Sequence, residues 1–184
     1  MPFQPGVKVA TAISPEEGTV DEQPTVRQVV QVAIAAEARG AELYRDLATR
    51  FASEAEVGEA FTTLARDEES HEAHFRALQS KLPAGEQGAL GSEQGQYLTA
   101  LATAERLLFS SMMAEPERIK NTKDALERAY ALERATLLYY HGMRDTLGRS
   151  EGLDAIIEAE KRHLVQVMRY LVSGAKLRGL SDPW

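Results

Sequence analysis

The chain has 184 residues, a formal net charge of −7 and no cysteine. This length suits one domain with a sizeable core, and the lack of cysteine excludes disulfides, thiolate zinc sites, iron–sulfur clusters and cysteine nucleophiles. Affinity for nucleic acid comes from clustered Lys and Arg, so the acidic balance predicts no nucleic-acid partner. Any metal must be held by Asp, Glu and His side chains.

Residues 1–24 carry four prolines among acidic residues and lack the charged start and apolar stretch of a secretory signal. We expect a flexible N-terminal arm there. No run of about 18 apolar residues occurs, which predicts a soluble, cytoplasmic protein without a membrane contact. The folded domain is expected over residues 25–173, followed by a C-terminal tail at residues 174–184.

The apolar residues recur every three or four positions from Thr25 onward, which predicts helices and no strand. The first helix is predicted over residues 25–51, with Thr25 as its N-cap. The second is predicted to begin near Ser53, which forms a capping-box pattern with Glu56, and to stop at Pro83.

Two further helices are predicted in the second half of the chain, one over residues 122–147 and one after a turn at residues 148–152. Residues 83–121 are too long for a simple connection and contain an amphipathic stretch at about residues 94–113. The chain is therefore predicted to be all-α, a four-helix bundle with one long crossover connection that contains an extra helix.

A duplicated pattern is the most informative feature of the sequence. Each half carries a Glu followed three residues later by a His, and each pair is preceded by a lone Glu on the apolar stripe of the previous helix. All six side chains occupy stripe positions that packing would give to Leu. They are Glu37, Glu68, His71, Glu133, Glu160 and His163.

Ionised carboxylates at core positions cost several kcal/mol or more unless a charge or hydrogen bonds compensate them. Two divalent cations balance four carboxylates, and two neutral imidazoles complete the coordination without adding charge. The six residues therefore predict a dinuclear metal site. The alternative is a set of core polar residues and surface salt bridges that satisfy one another.

Two tyrosines follow the lone glutamates by seven residues, Tyr44 after Glu37 and Tyr140 after Glu133. Either they hydrogen-bond a ligand carboxylate or end an electron path, or they are ordinary core packing. His74 is a rival ligand on the second helix, but the matching position of the second half is not a His. We expect it to be peripheral.

These residues resemble a ferritin-like protein of the rubrerythrin branch over about residues 29–172. The segments that carry the resemblance are residues 33–37 with Tyr44, 64–71, 129–133 with Tyr140, and 157–163. The resemblance implies two iron ions, with manganese or zinc fitting the same ligands. It also implies that Glu37 and Glu133 are terminal ligands, that Glu68 and Glu160 bridge, and that His71 and His163 each bind one iron.

The chain departs from full rubrerythrins in two respects. It has no cysteine-rich rubredoxin module, and the residues one turn from Glu133 are Tyr130 and Thr136, where those proteins place an extra Glu. Efficient rubrerythrin-type peroxide reduction is therefore less expected here. In ligand count the site is closer to bacterioferritin ferroxidase centres.

The leading hypothesis is a diiron oxidoreductase, a ferroxidase or peroxidase that oxidises Fe(II) or an external electron donor with O2 or hydrogen peroxide. The alternative is a non-catalytic protein for iron binding or delivery, or the cargo of a storage compartment, because residues 173–180 loosely resemble an encapsulin cargo peptide. Oxygen insertion into an organic substrate and a purely structural bundle are further alternatives. A homodimer is expected from the resemblance alone.

Overall fold

The computed structural model describes residues 24–83, 90–114 and 118–177. Within these ranges the chain forms five helices and no strand, which confirms the all-α prediction. The crossover connection contains the extra helix. The predicted N-terminal arm up to residue 23, and the tail from residue 178, lie outside the described residues. The helices are α1 (Val26–Arg50), α2 (Ala55–Lys81), α3 (Ser92–Ala114), α4 (Thr122–Leu147) and α5 (Glu151–Leu177).

The start of α1 has the predicted cap. The Thr25 hydroxyl accepts a hydrogen bond from the Gln28 amide at 3.2 Å, and the Gln28 side chain accepts one from the Thr25 amide at 2.7 Å. This reciprocal pair satisfies two amides that the helix itself leaves without acceptors. Thr25 as N-cap is therefore confirmed.

The predicted capping box at Ser53 is wrong. Helix α2 begins two residues later, with Glu54 as an N-cap that makes no side-chain capping bond. The Glu54 amide instead donates to the Phe51 carbonyl oxygen at 2.9 Å, and its carboxylate accepts a hydrogen bond from Thr122 at the start of α4. Ser53 consequently belongs to the tight turn between α1 and α2.

Helix α5 is longer at both ends than predicted. The turn before it depends on Gly148, whose φ of 88° lies in the left-handed region that favours glycine. Gly152, expected in this turn, lies in the first turn of the helix. At the other end the helix continues to Leu177, beyond the predicted end of the folded domain at residue 173.

Two apolar clusters fill the bundle, one at each end of a polar layer. One includes Leu47 of α1 and Phe61 of α2, and the other includes Ile34 of α1 and Phe75 of α2. Helices α4 and α5 contribute to both clusters in the same way. In all four helices the predicted ligands fall between the residues of the two clusters, so the candidate site lies in the middle of the core.

The crossover helix packs on the outside of the bundle, against α4 and α1. Gly142 of α4 permits the close approach, because a Cβ at this position would lie 2.9 Å from the Leu101 side chain. None of the helices in the described ranges is long and apolar enough to cross a membrane.

Candidate metal centre

The structure brings all six predicted ligands together in the interior. The most exposed of them, His71, is only 8% exposed. Their ligand atoms form two groups, and within each group all of these atoms lie within 4.8 Å of one another. The first group contains Glu37, Glu68, His71 and Glu160, and the second contains Glu68, Glu133, Glu160 and His163.

Two carboxylates belong to both groups, and each divides its oxygens between the two histidines. Glu160 places Oε1 2.9 Å from Nδ1 of His71 and Oε2 3.8 Å from Nδ1 of His163. Glu68 places Oε2 3.9 Å from Nδ1 of His71 and Oε1 3.5 Å from Nδ1 of His163. This is the arrangement needed for carboxylates that bridge two cations.

The other two carboxylates each serve one group only. Oε2 of Glu37 lies 3.6 Å from Nδ1 of His71, and Oε2 of Glu133 lies 3.6 Å from Nδ1 of His163. Their remaining oxygens accept hydrogen bonds crosswise, Glu37 from Tyr140 and Glu133 from Tyr44. Both tyrosines are fully buried. Each tyrosine therefore binds the glutamate of the opposite half, which favours the hydrogen-bonding interpretation over packing alone.

The inward-facing atoms of this cluster test whether it suits a cation. Among the described residues, buried carboxylate oxygens and histidine nitrogens of five of the six side chains have no hydrogen-bond partner. Buried polar atoms are normally paired, and leaving one unpaired costs about 1–3 kcal/mol. The donor set consists of carboxylate and imidazole, so divalent cations fit it well. The atoms are Glu37 Oε2, His71 Nδ1, Glu133 Oε2, both oxygens of Glu160, and His163 Nδ1.

Asp67 is a contributor that the sequence interpretation missed. Its Oδ2 lies 3.2 Å from Nε2 of His163, on the side of the ring away from the cluster, and can fix the ring orientation. The position before Glu160 is Ala159, so His71 has no matching carboxylate from the second half. Asp67 adjoins an inward-facing Glu on a helix, which places it on the flank of the stripe, and this was the available signal.

Gly40 was also missed. A Cβ at this position in α1 would lie 3.4 Å from Cγ and Cδ of Glu68, which is the lower limit of ordinary van der Waals contact. The backbone of α1 therefore packs directly against the shared carboxylate of α2. His74, expected to be peripheral, is exposed and belongs to neither group.

Burial and close carboxylates shift the titration of the metal-free cluster strongly. Burial, then the charge of Glu160, raises the pKa of Glu133 to about 8. Burial followed by the charges of Glu37 and Glu160 also raises the pKa of Glu68 well above its ordinary value. Without a cation, the site therefore retains protons that a cation would displace.

The histidines shift in the direction of their charged forms. Burial alone lowers the pKa of His71, but the nearby carboxylates of Glu160 and Glu37 outweigh it and raise the pKa to about 9. Burial also lowers the pKa of His163, but the carboxylates of Glu133, Glu160 and Glu68 outweigh it and raise the pKa. For Glu160 burial acts upward, yet the two histidines lower its pKa to about 2. Without a cation, the carboxylates therefore favour the protonated forms of both histidines.

Replacing Tyr140 by Phe should weaken metal binding by about tenfold to 100-fold, because it removes the hydrogen bond that orients Glu37. Tyr139→Phe is the matched control, since this neighbouring buried tyrosine donates instead to the backbone oxygen of Val29 at 3.0 Å. Competitive titration with Mn(II) measures both affinities. Equal weakening by the two substitutions would show that the Glu37 contact has no role in binding.

Comparison with known proteins agrees with this architecture. A family model described as Rubrerythrin matches residues 28–171, a range that includes all six predicted ligands and the whole of α2, α3 and α4. Comparisons with curated proteins and with solved structures returned no significant match. The family match spans most of the chain and implies a ferritin-like bundle and metal binding, and the buried Glu and His groups are able to hold metal ions. This chain belongs to the Rubrerythrin family.

Proposed function

We propose that the protein is a non-haem diiron oxidoreductase that oxidises Fe(II) or an external reductant with O2 or hydrogen peroxide. The observation that carries this proposal is the pair of ligand groups that share Glu68 and Glu160. Two ions held by the shared carboxylates would lie close enough together to act on one small oxidant. Ligation by Glu37, His71, Glu133 and His163 would complete the two coordination sets.

Iron suits the donor set because carboxylate oxygens and imidazole nitrogens both bind Fe(II), although manganese and zinc fit as well. Two bound Fe(II) ions would supply one electron each, so O2 would be reduced to hydrogen peroxide, or hydrogen peroxide to water, with two protons consumed. Four carboxylates and two neutral imidazoles balance two divalent ions. The charge of the metallated site is therefore zero, which lowers the cost of burying it.

The surrounding residues of the chain hold the candidate ligands in place and bury them. Tyr44 and Tyr140 fix the terminal carboxylates from outside, and Asp67 contacts the outer nitrogen of His163. The apolar clusters above and below bury the layer of ligands in the core. Such packing holds ligands in place, and open coordination positions would remain for the oxidant.

The surroundings of Glu133 favour Fe(II) oxidation over a rubrerythrin-type peroxidase cycle. Tyr130 and Thr136 stand one turn before and after it, and Thr136 is 6% exposed. Neither can act as an exchanging carboxylate ligand. The electron donor, a homodimeric assembly and a cytoplasmic location stay predictions.

Stopped-flow oxidation tests the proposed function. Metal-free protein is loaded anaerobically with two Fe(II) per chain and mixed with O2 or with hydrogen peroxide, and the rise of Fe(III) absorbance is followed. We expect oxidation well above the rate of free Fe(II), and its loss in Glu133→Ala. Oxidation no faster than that of free Fe(II) with either oxidant would contradict an oxidoreductase role.

A further inference from the structure

A cavity lies outside the layer of candidate ligands, between α1 and the crossover helix α3. Its volume is about 440 Å³, within the range of sites that bind small molecules. On α1 its lining extends from Gln28 to Arg39, which corresponds to about 16 Å of helix at 1.5 Å per residue. The cavity is therefore elongated along the helix.

The floor of this cavity is apolar. Side chains from three helices form it, and most are small or aliphatic, so the floor suits an unbranched or flat apolar group. They are Val29, Val32 and Ala35 of α1, Leu98 and Ala102 of α3, and Tyr139 of α4.

One edge of the cavity is polar and comes from a single face of α3. Thr99, Thr103 and Arg106 are spaced by four and three residues, so they follow one another along the helix surface. Elsewhere a helical threonine such as Thr62 bonds its hydroxyl to the carbonyl oxygen four residues earlier, at 2.8 Å. Among the described residues neither Thr99 nor Thr103 makes a hydrogen bond through its hydroxyl, so both are free to bind a ligand.

The charges at the cavity favour an anion. Arg39 and Glu105 form a close ion pair of 2.6 Å, with Glu105 only 2% exposed, so together they contribute no net charge. Arg106 is exposed and has no ion-pair partner in the part of the chain that the structure describes. The cavity therefore carries one uncompensated positive charge on a chain whose formal net charge is −7.

We propose that this cavity binds an amphipathic carboxylate, with its apolar chain between α1 and α3 and its carboxylate on Arg106 and the two threonine hydroxyls. A guanidinium–carboxylate pair and two hydrogen bonds donated by the threonine hydroxyls would anchor the head group. The α1 and α3 floor would cover the chain and remove it from water. The inference does not depend on the metal centre or on its chemistry.

Calorimetric titration of the metal-free protein with decanoate tests the proposal. We expect saturable binding, weakened about tenfold by Arg106→Gln because one charge-assisted hydrogen-bonding group is lost. Arg169→Gln is the matched control, since Arg169 is an exposed arginine on α5, away from the cavity. Equal affinity in the wild type and Arg106→Gln would overturn the assignment of the head group.

Two further measurements test the apolar lining of the cavity and the sign of the charge on the head group of the ligand. Ala102→Phe places a ring in the cavity and should abolish decanoate binding while circular dichroism stays unchanged. Decyltrimethylammonium has the same chain with a cationic head, and binding as tight as that of decanoate would overturn the proposal. Sedimentation velocity completes the test, because a dimer that dissociates in Ala102→Phe would assign the cavity to a second copy of the chain instead.

Discussion

Replacing Glu160 by alanine is expected to remove both metal ions, whereas replacing Glu37 by alanine should remove chiefly one. Glu160 is 0% exposed and places one oxygen toward each histidine, so its loss opens both coordination sets. Glu37 belongs to the His71 group alone. Because outer contacts of a metal site already contribute about tenfold to 100-fold, loss of a bridging ligand should weaken binding by more than 100-fold.

Elemental analysis after anaerobic loading and desalting measures these occupancies. Glu158→Ala is the matched control, since Glu158 lies two residues earlier on α5 and pairs with Lys161 at the surface. Its occupancy should equal that of the wild type. A Glu160→Ala protein that retains one tightly bound ion would show that Glu160 does not bridge.

Metal should stabilise the protein more strongly at high pH than at low pH. In the metal-free protein the pKa of His71 is raised from 6.5 to about 9, so its stabilising contribution is complete below pH 6.5 and is lost as the pH rises through 9. Glu133 acts in the same direction. Its pKa is raised from 4.5 to about 8, so its stabilising contribution is complete below pH 4.5 and is lost as the pH rises through 8. Metal binds the deprotonated ligands, so its affinity rises over the same window.

Thermal unfolding with and without Mn(II) at pH 6.5 and at about pH 8.5 measures this linkage. At a fixed free metal concentration of about 1,000 times the Kd at the higher pH, the stabilisation there is about 4 kcal/mol, and the shift of Tm should be smaller at pH 6.5, where Kd is larger. Glu133→Gln without metal is the control, because its amide cannot ionise and the pH dependence of the metal-free protein's stability should shrink. A metal effect that is equal at both pH values would contradict the proposed protonation of the empty cluster.

The six residues that meet in the buried cluster were predictable from sequence, because each places a charged or polar side chain on the apolar stripe of its helix. Glu37 and Glu160 stand at positions where the apolar period of the helix predicts a Leu, so they can be recognised without a structure. Asp67 could not be recognised from the sequence in this way. An acidic residue on the flank of a helix is ordinary, and only the packing of α2 against α5 brings it to His163.

The helix ends show a similar limit. Thr25 was predicted correctly because both hydrogen bonds of its capping box join Thr25 to Gln28, within the same four residues of the chain. Ser53 offers the same local pattern, but Glu54 contacts Thr122 from α4, and that long-range contact accompanies a later start of α2. The cavity beside α3 could not be predicted either, because it depends on how the crossover helix lies on α1.

The central claim is that six residues of this chain hold two metal ions between them. Anomalous diffraction at the iron edge, from crystals of anaerobically loaded protein, tests it most directly. We predict two iron peaks about 3.5–4 Å apart, both contacted by Glu68 and Glu160, with His71 at one peak and His163 at the other. A single peak, or iron bound outside the layer between the two apolar clusters, would contradict the account.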